Sequence, residues 1–409
     1  MICKSCKKKI NYNLVDLGSS PIANNYINDS SESEKWYPLK VLICKSCWLV
    51  QAGHNIHSKL IFNKDYPYFS SVSKSLLNYS KKYVDEVYEK FLKHKKENRV
   101  LEIASNDGYL LQFFKSKKNI SKILGIEPTS KAAEISRKKK IETLEVFFDS
   151  KQAKKIKSKY QKFDLIIANN VLAHIPNINS FVKGIKTILH NKGIATIEFQ
   201  YVVDLIKKNV FDNIYHEHYF YHSFLAFSKV LKRHKLKSFD IEKVDTQGGS
   251  LRVYITHNSN HLFKQTTSLK SIIKNEKKLG VNDLNFYSKF SKQTISKKNE
   301  FLSTIIKIKK QNKTIFGYGA AAKGNTMLNF CGIKSAMINY IIDKNEFKQN
   351  KYLPGSRIPI VSEKFIKKIK PDFIVIFPWN IAKEISLSLS YIRKWGGKFI
   401  IYHPKVKIF

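Results

Sequence analysis

Arginine is scarce in this chain: of 73 Lys plus Arg residues, only Arg99, Arg137, Arg233, Arg252, Arg357 and Arg393 are Arg. Arginine carries bidentate recognition of phosphates and base edges. A formal net charge of +41 therefore supports a nucleic-acid partner less than its size suggests. Charge alone points to an acidic partner: nucleic acid, a membrane surface or a phosphorylated substrate. Lys, Asn and Ile are over-used together, as in Lys348-Gln349-Asn350-Lys351, which equally fits compositional drift. Long apolar runs are also missing. No stretch approaches the roughly 20 apolar residues that span a bilayer, and Met1 to Asn13 has no apolar signal-peptide core. The expectation is a cytoplasmic monomer with neither a membrane nor a nucleic-acid partner. Cysteine is limited to five, which in that compartment reads as metal ligands or free thiols rather than disulfides.

What is present can build cores. At 43% hydrophobic and 13% aromatic the chain is not disordered, and 409 residues suggest two or three domains. Residues 1–65 contain short strand and turn patterns with two Cys pairs, the pattern of a small metal-stapled module. From Tyr66 to Lys96 apolar residues recur every three to four positions, which predicts an amphipathic helix. Between Arg99 and Gln200, apolar runs (Val100 to Ala104, Ile123 to Ile126, Ile141 to Val146, Phe163 to Ala168, Ile194 to Phe199) alternate with helical stretches. That repetition predicts a parallel, doubly wound α/β sheet of the Rossmann type. Leu236 to Val244 and Ser250 to Thr256 are expected to complete it as an antiparallel edge hairpin, closing a domain at 66–300. After helical sequence from Asn260 to about Lys310, strand candidates at Thr314 to Gly317, Ile338 to Ile342, Phe373 to Phe377 and Lys398 to Tyr402 predict a second, smaller α/β domain over 301–409.

Cys3-Lys-Ser-Cys6 and Cys44-Lys-Ser-Cys47 are two C-x2-C pairs, each able to place two thiolates on one ion from a tight knuckle. Four thiolates suit tetrahedral Zn²⁺ and leave no open coordination position, so the metal is expected to be structural. The alternative is a set of free thiols.

Glu102-Ile-Ala104-Ser-Asn106-Asp-Gly108 follows a predicted strand and is expected to open a helix, with small residues that let backbone approach a ligand. It is not a G-x-G-x-x-G fingerprint. Glu127, nineteen residues after Gly108 and at the end of the next strand, is placed to accept both ribose hydroxyls of an adenosine. The plain alternative is an ordinary strand-to-helix turn with a solvated Glu. Asn169, Asn170 and His174 lie at the end of the fourth predicted strand, where doubly wound sheets place ligands; a helix start capped by Asn170 is the alternative. Phe211 to His222 packs three His, three Tyr, one Glu and one Asp into twelve residues, costly in a plain core, although an exposed aromatic helix would also accommodate them. Its His216-Glu217-His218 is not the H-E-x-x-H metalloprotease spacing. Gly317-Tyr-Gly319-Ala-Ala-Ala-Lys323-Gly324 also follows a predicted strand and is expected to begin a helix whose amides, with Lys323, receive a diphosphate. Asp343, nineteen residues after Gly324, repeats the first site's spacing.

The order of these motifs resembles the three-domain sugar C-methyltransferase family. The resemblance includes the paired cysteines with Pro21-Ile-Ala-Asn24 between them, Tyr68-Phe-Ser-Ser71, the Glu102 to Gly108 loop and Ile126-Glu-Pro128. It continues through Asn170-Val-Leu-Ala-His174, Tyr215-His-Glu-His218, Gln247-Gly-Gly-Ser-Leu-Arg252, Gly317 to Gly324, Tyr352-Leu-Pro-Gly355 and Pro378-Trp-Asn380. It implies a zinc module, a middle domain binding S-adenosylmethionine and a C-terminal Rossmann-like domain that helps hold a nucleotide-diphosphate 4-keto-deoxysugar. It also implies His218 as the base that removes the proton next to the ketone, at C3. Tyr215 and Glu217 would orient or polarise, and His174 and Tyr68 would face the sugar, with Tyr66 competing for the place of Tyr68. Ala104 stands where that family usually has Gly. Two other classes compete: a basic zinc-containing RNA methyltransferase, and a non-catalytic nucleotide-sugar-binding protein. The first lacks an N-P-P-Y motif at Ala168-Asn-Asn170-Val.

Overall fold

The computed structural model describes all residues except Lys64, Asp65 and Pro67, with Gln247 described by its backbone alone. Three sheets organise the chain. The N-terminal sheet has strands Tyr12–Ser20, Tyr37–Ile43 and Val50–Ala52, all antiparallel. Its fourth strand, Phe220–Tyr221, comes from far along the chain, with Val50 opposite Tyr221 and Gln51 opposite Phe220.

The central sheet has seven strands. Asn98–Ile103 sits between Ile120–Ile126 and Phe163–Asn169, all parallel, and Leu189–Gln200 extends the parallel run beyond Phe163–Asn169. The hairpin Leu236–Val244 and Ser250–His257 closes that edge antiparallel, as expected. Strands covered on both faces read as near-continuous apolar runs, and Leu165 through Ala168 are fully buried. Helix Ile178–Ile188 begins at Asn177, whose side chain accepts from Ser180 N, a conventional N-cap.

The C-terminal sheet orders Ile360–Val361, Tyr340–Ile342, Ile315–Tyr318, Phe373–Ile376 and Lys398–Ile401 in parallel, with Lys407–Ile408 antiparallel at the edge. The two outermost strands, two residues each, are too short to show a period in sequence.

Several elements depart from the sequence expectation. Of the helix expected from Tyr66, Pro67 lies outside the described residues, as does the expected module boundary at Asp65. The helix itself starts at Lys74, where Ser73 accepts from Leu76 N. The helical stretch from Asn260 is broken: Thr267–Leu279 ends at Gly280 in the left-handed conformation, and Phe290–Lys309 follows. No α-helix follows Gly108. Ala104, Asn106 and Gly108 all have positive φ (58°, 48° and 74°), so the chain coils back on itself and recovers only as the short 3-10 turn Leu111–Phe114. The segment Phe211 to His222 forms no exposed helix. It is a 3-10 turn, Phe211–Asn213, then a loop and the strand that joins the N-terminal sheet.

The sheets share their cores. One apolar cluster joins Cys3, Ile10 and Leu49 to Ile103, Ile166 and Phe227. Another joins Leu14, Val41 and Val50 to Phe211, Ile315 and Phe377. The N-terminal module therefore contacts both α/β units, and polar ties reinforce the second contact. Gly355 N donates to the Glu34 carboxylate at 2.9 and 3.1 Å, and Arg357 donates to the carbonyls of Ser30 and Glu32. Among the described residues, no helix is long and apolar enough to cross a membrane.

Candidate active site

The four cysteines converge. Cys3 Sγ lies 3.6 Å from Cys47 Sγ and Cys6 Sγ 3.5 Å from Cys44 Sγ, and all four sulfurs lie within 4.8 Å of one another. Zinc–sulfur bonds of about 2.3 Å place tetrahedral ligands about 3.8 Å apart, so the cluster fits zinc. The two knuckles are alike. Lys7 N donates to Cys3 O and Trp48 N to Cys44 O, and both Lys7 and Trp48, each just after a second cysteine, take positive φ. Cys3, Cys44 and Cys47 are buried and Cys6 is partly buried, and four thiolates would fill a tetrahedral zinc with no position left open.

A cavity of about 750 Å³ opens at the carboxyl ends of the central strands. Its wall includes Ala104, Asn106, Glu127, Asn169, Asn170 and His174. Asn106 N donates to Glu127 Oε2 at 2.9 Å, while Thr129 N and Oγ1 donate to Oε1 at 2.9 and 2.6 Å. The carboxylate thus fixes the loop as well as facing the cavity. Burial nonetheless raises its pKa. Glu102 lies beneath the cavity wall, 1% exposed, and neither carboxylate oxygen has a hydrogen-bond partner among the described residues. Burial first, then the neighbouring Asp107 and Glu127, pushes its pKa well up, so the protonated acid is favoured. Gly108 is behind the loop, where a Cβ would meet Ile141 Cδ1 at 2.7 Å and Ser136 Oγ at 2.8 Å; its smallness serves packing. Asn106 Oδ1 accepts from Ser70 N and its Nδ2 donates to Tyr68 O, so the same loop carries Tyr68, half exposed, to the cavity wall.

The histidine-rich segment is threaded between the module and the central sheet. His216 meets Tyr37 O at 3.2 Å, Tyr219 OH donates to Ile56 O at 2.6 Å, and Tyr219 N to Ala173 O at 2.7 Å. These ties fix His218 beside His174, ring centroids 4.9 Å apart, and beside Tyr215, centroids 4.0 Å apart. His218 Nδ1 is 2.9 Å from Asn213 O, and His174 Nδ1 is 2.9 Å from Glu217 O. A carbonyl only accepts, so each Nδ1 carries the proton and each Nε2 is left with its lone pair. Burial lowers the pKa of His174 to about 4 and that of His218 well below the usual imidazole value, where repulsion from His174, were it protonated, and from Lys323 adds to the shift. Both rings are therefore neutral near pH 7. His174 is on the cavity wall; His218 lies next to it and is 9% exposed.

Glu217 differs from the expectation that it orients His218. Its Oε1 accepts from Asn24 N and Nδ2 at 3.2 and 3.0 Å, and burial raises its pKa to about 7. A backbone carbonyl performs the orienting instead. Asn24 lies within Pro21-Ile-Ala-Asn24, a motif that by itself assigns it no role, and Asn213 acts through its main chain, which residue type does not announce. It also did not place Asn380 and Ile381, from the C-terminal unit, on the cavity wall.

In the C-terminal unit, Asp343 Oδ2 accepts from Ala320 N at 2.8 Å, while Tyr26 OH and Lys348 Nζ donate to Ala320 O at 2.6 and 2.8 Å. A Cβ at Gly317 or Gly324 would fall 2.6 to 2.7 Å from Phe377, and one at Gly319 would fall 2.6 Å from Pro378. The helix expected after this loop is present as Ala322–Cys331. Lys323 is 9% exposed, its Nζ lies 4.8 Å from the Trp379 ring centroid, and the Nζ has no hydrogen-bond partner among the described residues.

Known families align with these three regions. Residues 3–62 match the family described as "Putative zinc binding domain", 76–237 the "Methyltransferase domain" and 245–404 the "C-methyltransferase C-terminal domain". C-methyltransferase NovU of Streptomyces niveus is 28% identical over 409 residues, covering 99% of this chain and 96% of that protein. Solved structures resemble part of the chain. PH0226 from Pyrococcus horikoshii OT3 (TM-score 0.38, 14% identity) covers 46% of this chain and 94% of its own. Magnesium protoporphyrin IX methyltransferase from Synechocystis PCC 6803 (TM-score 0.34, 10% identity) covers 46% and 82%. Zinc-binding, methyltransferase and C-methyltransferase domains are matched in that order along nearly its whole length, and the chain is an S-adenosylmethionine-dependent methyltransferase.

Proposed function

We propose that the enzyme methylates a ring carbon, C3, of a nucleotide-diphosphate 4-keto-6-deoxysugar, with His218 removing the proton next to the ketone. The observation that carries this reading is the state of His218: neutral, with its Nδ1 proton held by the Asn213 carbonyl and its Nε2 free. A C–H beside a ketone is acidic because its conjugate base spreads charge onto oxygen, so one positioned base suffices. Tyr215 packs against the imidazole and keeps its plane; His174, Glu217 and Tyr68 complete the surroundings of the sugar ring.

In this reading residues 1–65 form the zinc module, 66–300 the methyl-donor domain with the catalytic segment, and 301–409 the nucleotide-sugar domain. Ala104, Asn106, Glu127 and Asn169, on the cavity wall, would hold S-adenosylmethionine, which supplies an electrophilic methyl group bound to sulfonium sulfur, while Glu102 and Gly108 would support their loop from behind. The cavity is large enough for a ligand of that size, and the Glu127 carboxylate on its wall suits ribose hydroxyls. Asn170, Gly317, Gly319, Lys323 and Asp343 would face the nucleotide sugar. The similarity to a C-methyltransferase over the whole chain supports carbon as the acceptor atom.

Incubating the protein with S-adenosylmethionine and a panel of nucleotide-diphosphate 4-keto-6-deoxysugars, then reading product mass and carbon NMR, tests the proposal. One added methyl on carbon is expected. A methyl on oxygen, or no turnover with any member of the panel, overturns it.

A further inference from the structure

Lys323 is a buried basic residue that faces the nucleotide sugar in the proposed reading but has no step of the reaction assigned to it. Its Nζ is inaccessible and lacks a hydrogen-bond partner among the described residues, an arrangement that costs free energy unless something else fills the gap. Its neighbourhood is built. The Trp379 ring lies 4.8 Å away, Trp379 Nε1 donates to Asp212 Oδ2 at 2.7 Å, and Tyr402 OH donates to the same oxygen at 2.7 Å. Burial lowers the Lys323 pKa, and the Asp212 carboxylate, with both of its donors on Oδ2, opposes that shift by supplying a negative charge to the cluster.

The helix that bears Lys323 packs on the turn that bears the base. Lys323 and Thr326 are three residues apart and so share a helix face. Thr326 Oγ1 donates to Ile214 O at 2.9 Å, and the preceding carbonyl, Asn213 O, is the one that holds His218 Nδ1. The residues after Trp379, Asn380 and Ile381, reach the wall of the large cavity. An ammonium in this position lies on the His218 side of the domain junction, among groups that fix the base.

We infer that Lys323 Nζ donates a hydrogen bond to the carbonyl oxygen next to the carbon that is deprotonated, making Lys323 a further catalytic residue. This rests on the proposed ketosugar reaction and says which part of the substrate Lys323 meets: the ketone and not the diphosphate. The step balances within the substrate and two side chains. The C–H bond breaks and its proton goes to His218 Nε2. The freed electron pair forms the carbon–carbon π bond, the carbonyl π pair moves onto oxygen, and Lys323 N–H stabilises the charge that develops there.

The test separates deprotonation from methylation. The full-length enzyme, with S-adenosylhomocysteine and a nucleotide-diphosphate 4-keto-6-deoxysugar in D2O, is followed by proton NMR for exchange at the carbon next to the ketone. Exchange is expected in the unaltered enzyme. In Lys323→Met it is expected to fall about 100-fold or more at saturating sugar, with sugar affinity changed less than about threefold and S-adenosylmethionine binding by calorimetry retained. Lys323→Arg, which keeps donors on a longer head, is expected to regain at least a tenfold part of the loss. Normal exchange in Lys323→Met with weakened sugar binding assigns the residue to the diphosphate and overturns the inference. Absence of exchange in the unaltered enzyme overturns the proposed reaction itself and this inference with it. If Lys323→Met does not fold, Lys323→Gln is read by the same criteria.

Discussion

The loops after the first strands of the two α/β sheets use one backbone device in different surroundings. In the middle unit, Glu127 from the neighbouring strand accepts the amide of Asn106; in the C-terminal unit, Asp343 accepts the amide of Ala320. Above the first loop the cavity stays open. At the second, Tyr26 and Lys348 take the carbonyl of Ala320, and Phe377 occupies the space beside Gly317 and Gly324. Glycine and carboxylate spacing therefore marks a strand–loop–helix turn. What else the fold brings to the mouth of that turn decides what the turn can hold.

The largest effect comes from removing the element on which the second loop and the His218 segment both lean. Tyr26 reaches the second loop and Asn24 reaches Glu217 from the zinc module, whose sheet also takes in Phe220–Tyr221. Cys44→Ser is expected to abolish zinc binding, lower stability by several kcal/mol and abolish methyl transfer. Metal analysis and thermal melting check this, and a zinc-free variant of normal stability would break it.

Acidification comes next, and it acts mainly beside the first loop. His174 and His216 are pushed down to about 4 and His222 to about 3 by burial, whereas His403 at about 4 lies in the second unit. Folded pKa values below the unfolded one mean stability that is present above about pH 6.5 and lost as pH falls toward 4, by at most about 1.4 kcal/mol per pH unit for each ring. Glu217, raised to about 7, works in the other direction, its contribution declining as pH rises through 7. Melting temperatures are expected to fall steeply from pH 6.5 to 4.5, and a flat profile there would contradict the buried neutral rings.

A paired substitution sharpens the contrast between the two carboxylates. Glu127→Gln is expected to weaken S-adenosylmethionine binding on the order of tenfold to a hundredfold, and Asp343→Asn to leave it within about twofold. Calorimetry on both variants decides, and equal effects would erase the distinction. The smallest expected effect is Gly324→Ala, which overpacks against Phe377 and should cost about 1–3 kcal/mol in denaturant unfolding, with turnover per folded molecule retained. Lost sugar affinity at full stability would instead assign the glycine to ligand approach.

The central strands were legible because buried parallel strands write continuous apolar runs bounded by turn residues. The cysteine knuckles were legible because metal geometry fixes their spacing. The loop after Ile103 was misread as a helix start because Ala104 and Asn106 adopt positive φ, which their residue types do not announce. The segment around His218 was visible as an unusual cluster, but its course was not. Its partner strand, Val50–Ala52, lies about 170 residues away, and a two-residue strand has no period to read. The group that sets the His218 tautomer is a main-chain carbonyl, for which composition carries no signal.

The central claim is that a neutral His218 takes the proton. Methyl transfer by His218→Ala, at saturating S-adenosylmethionine and nucleotide-diphosphate 4-keto-6-deoxysugar, tests it most directly. The rate is expected to fall by about 10²- to 10⁴-fold while calorimetric binding of S-adenosylmethionine is unchanged, and turnover at the unaltered rate would remove His218 from the mechanism.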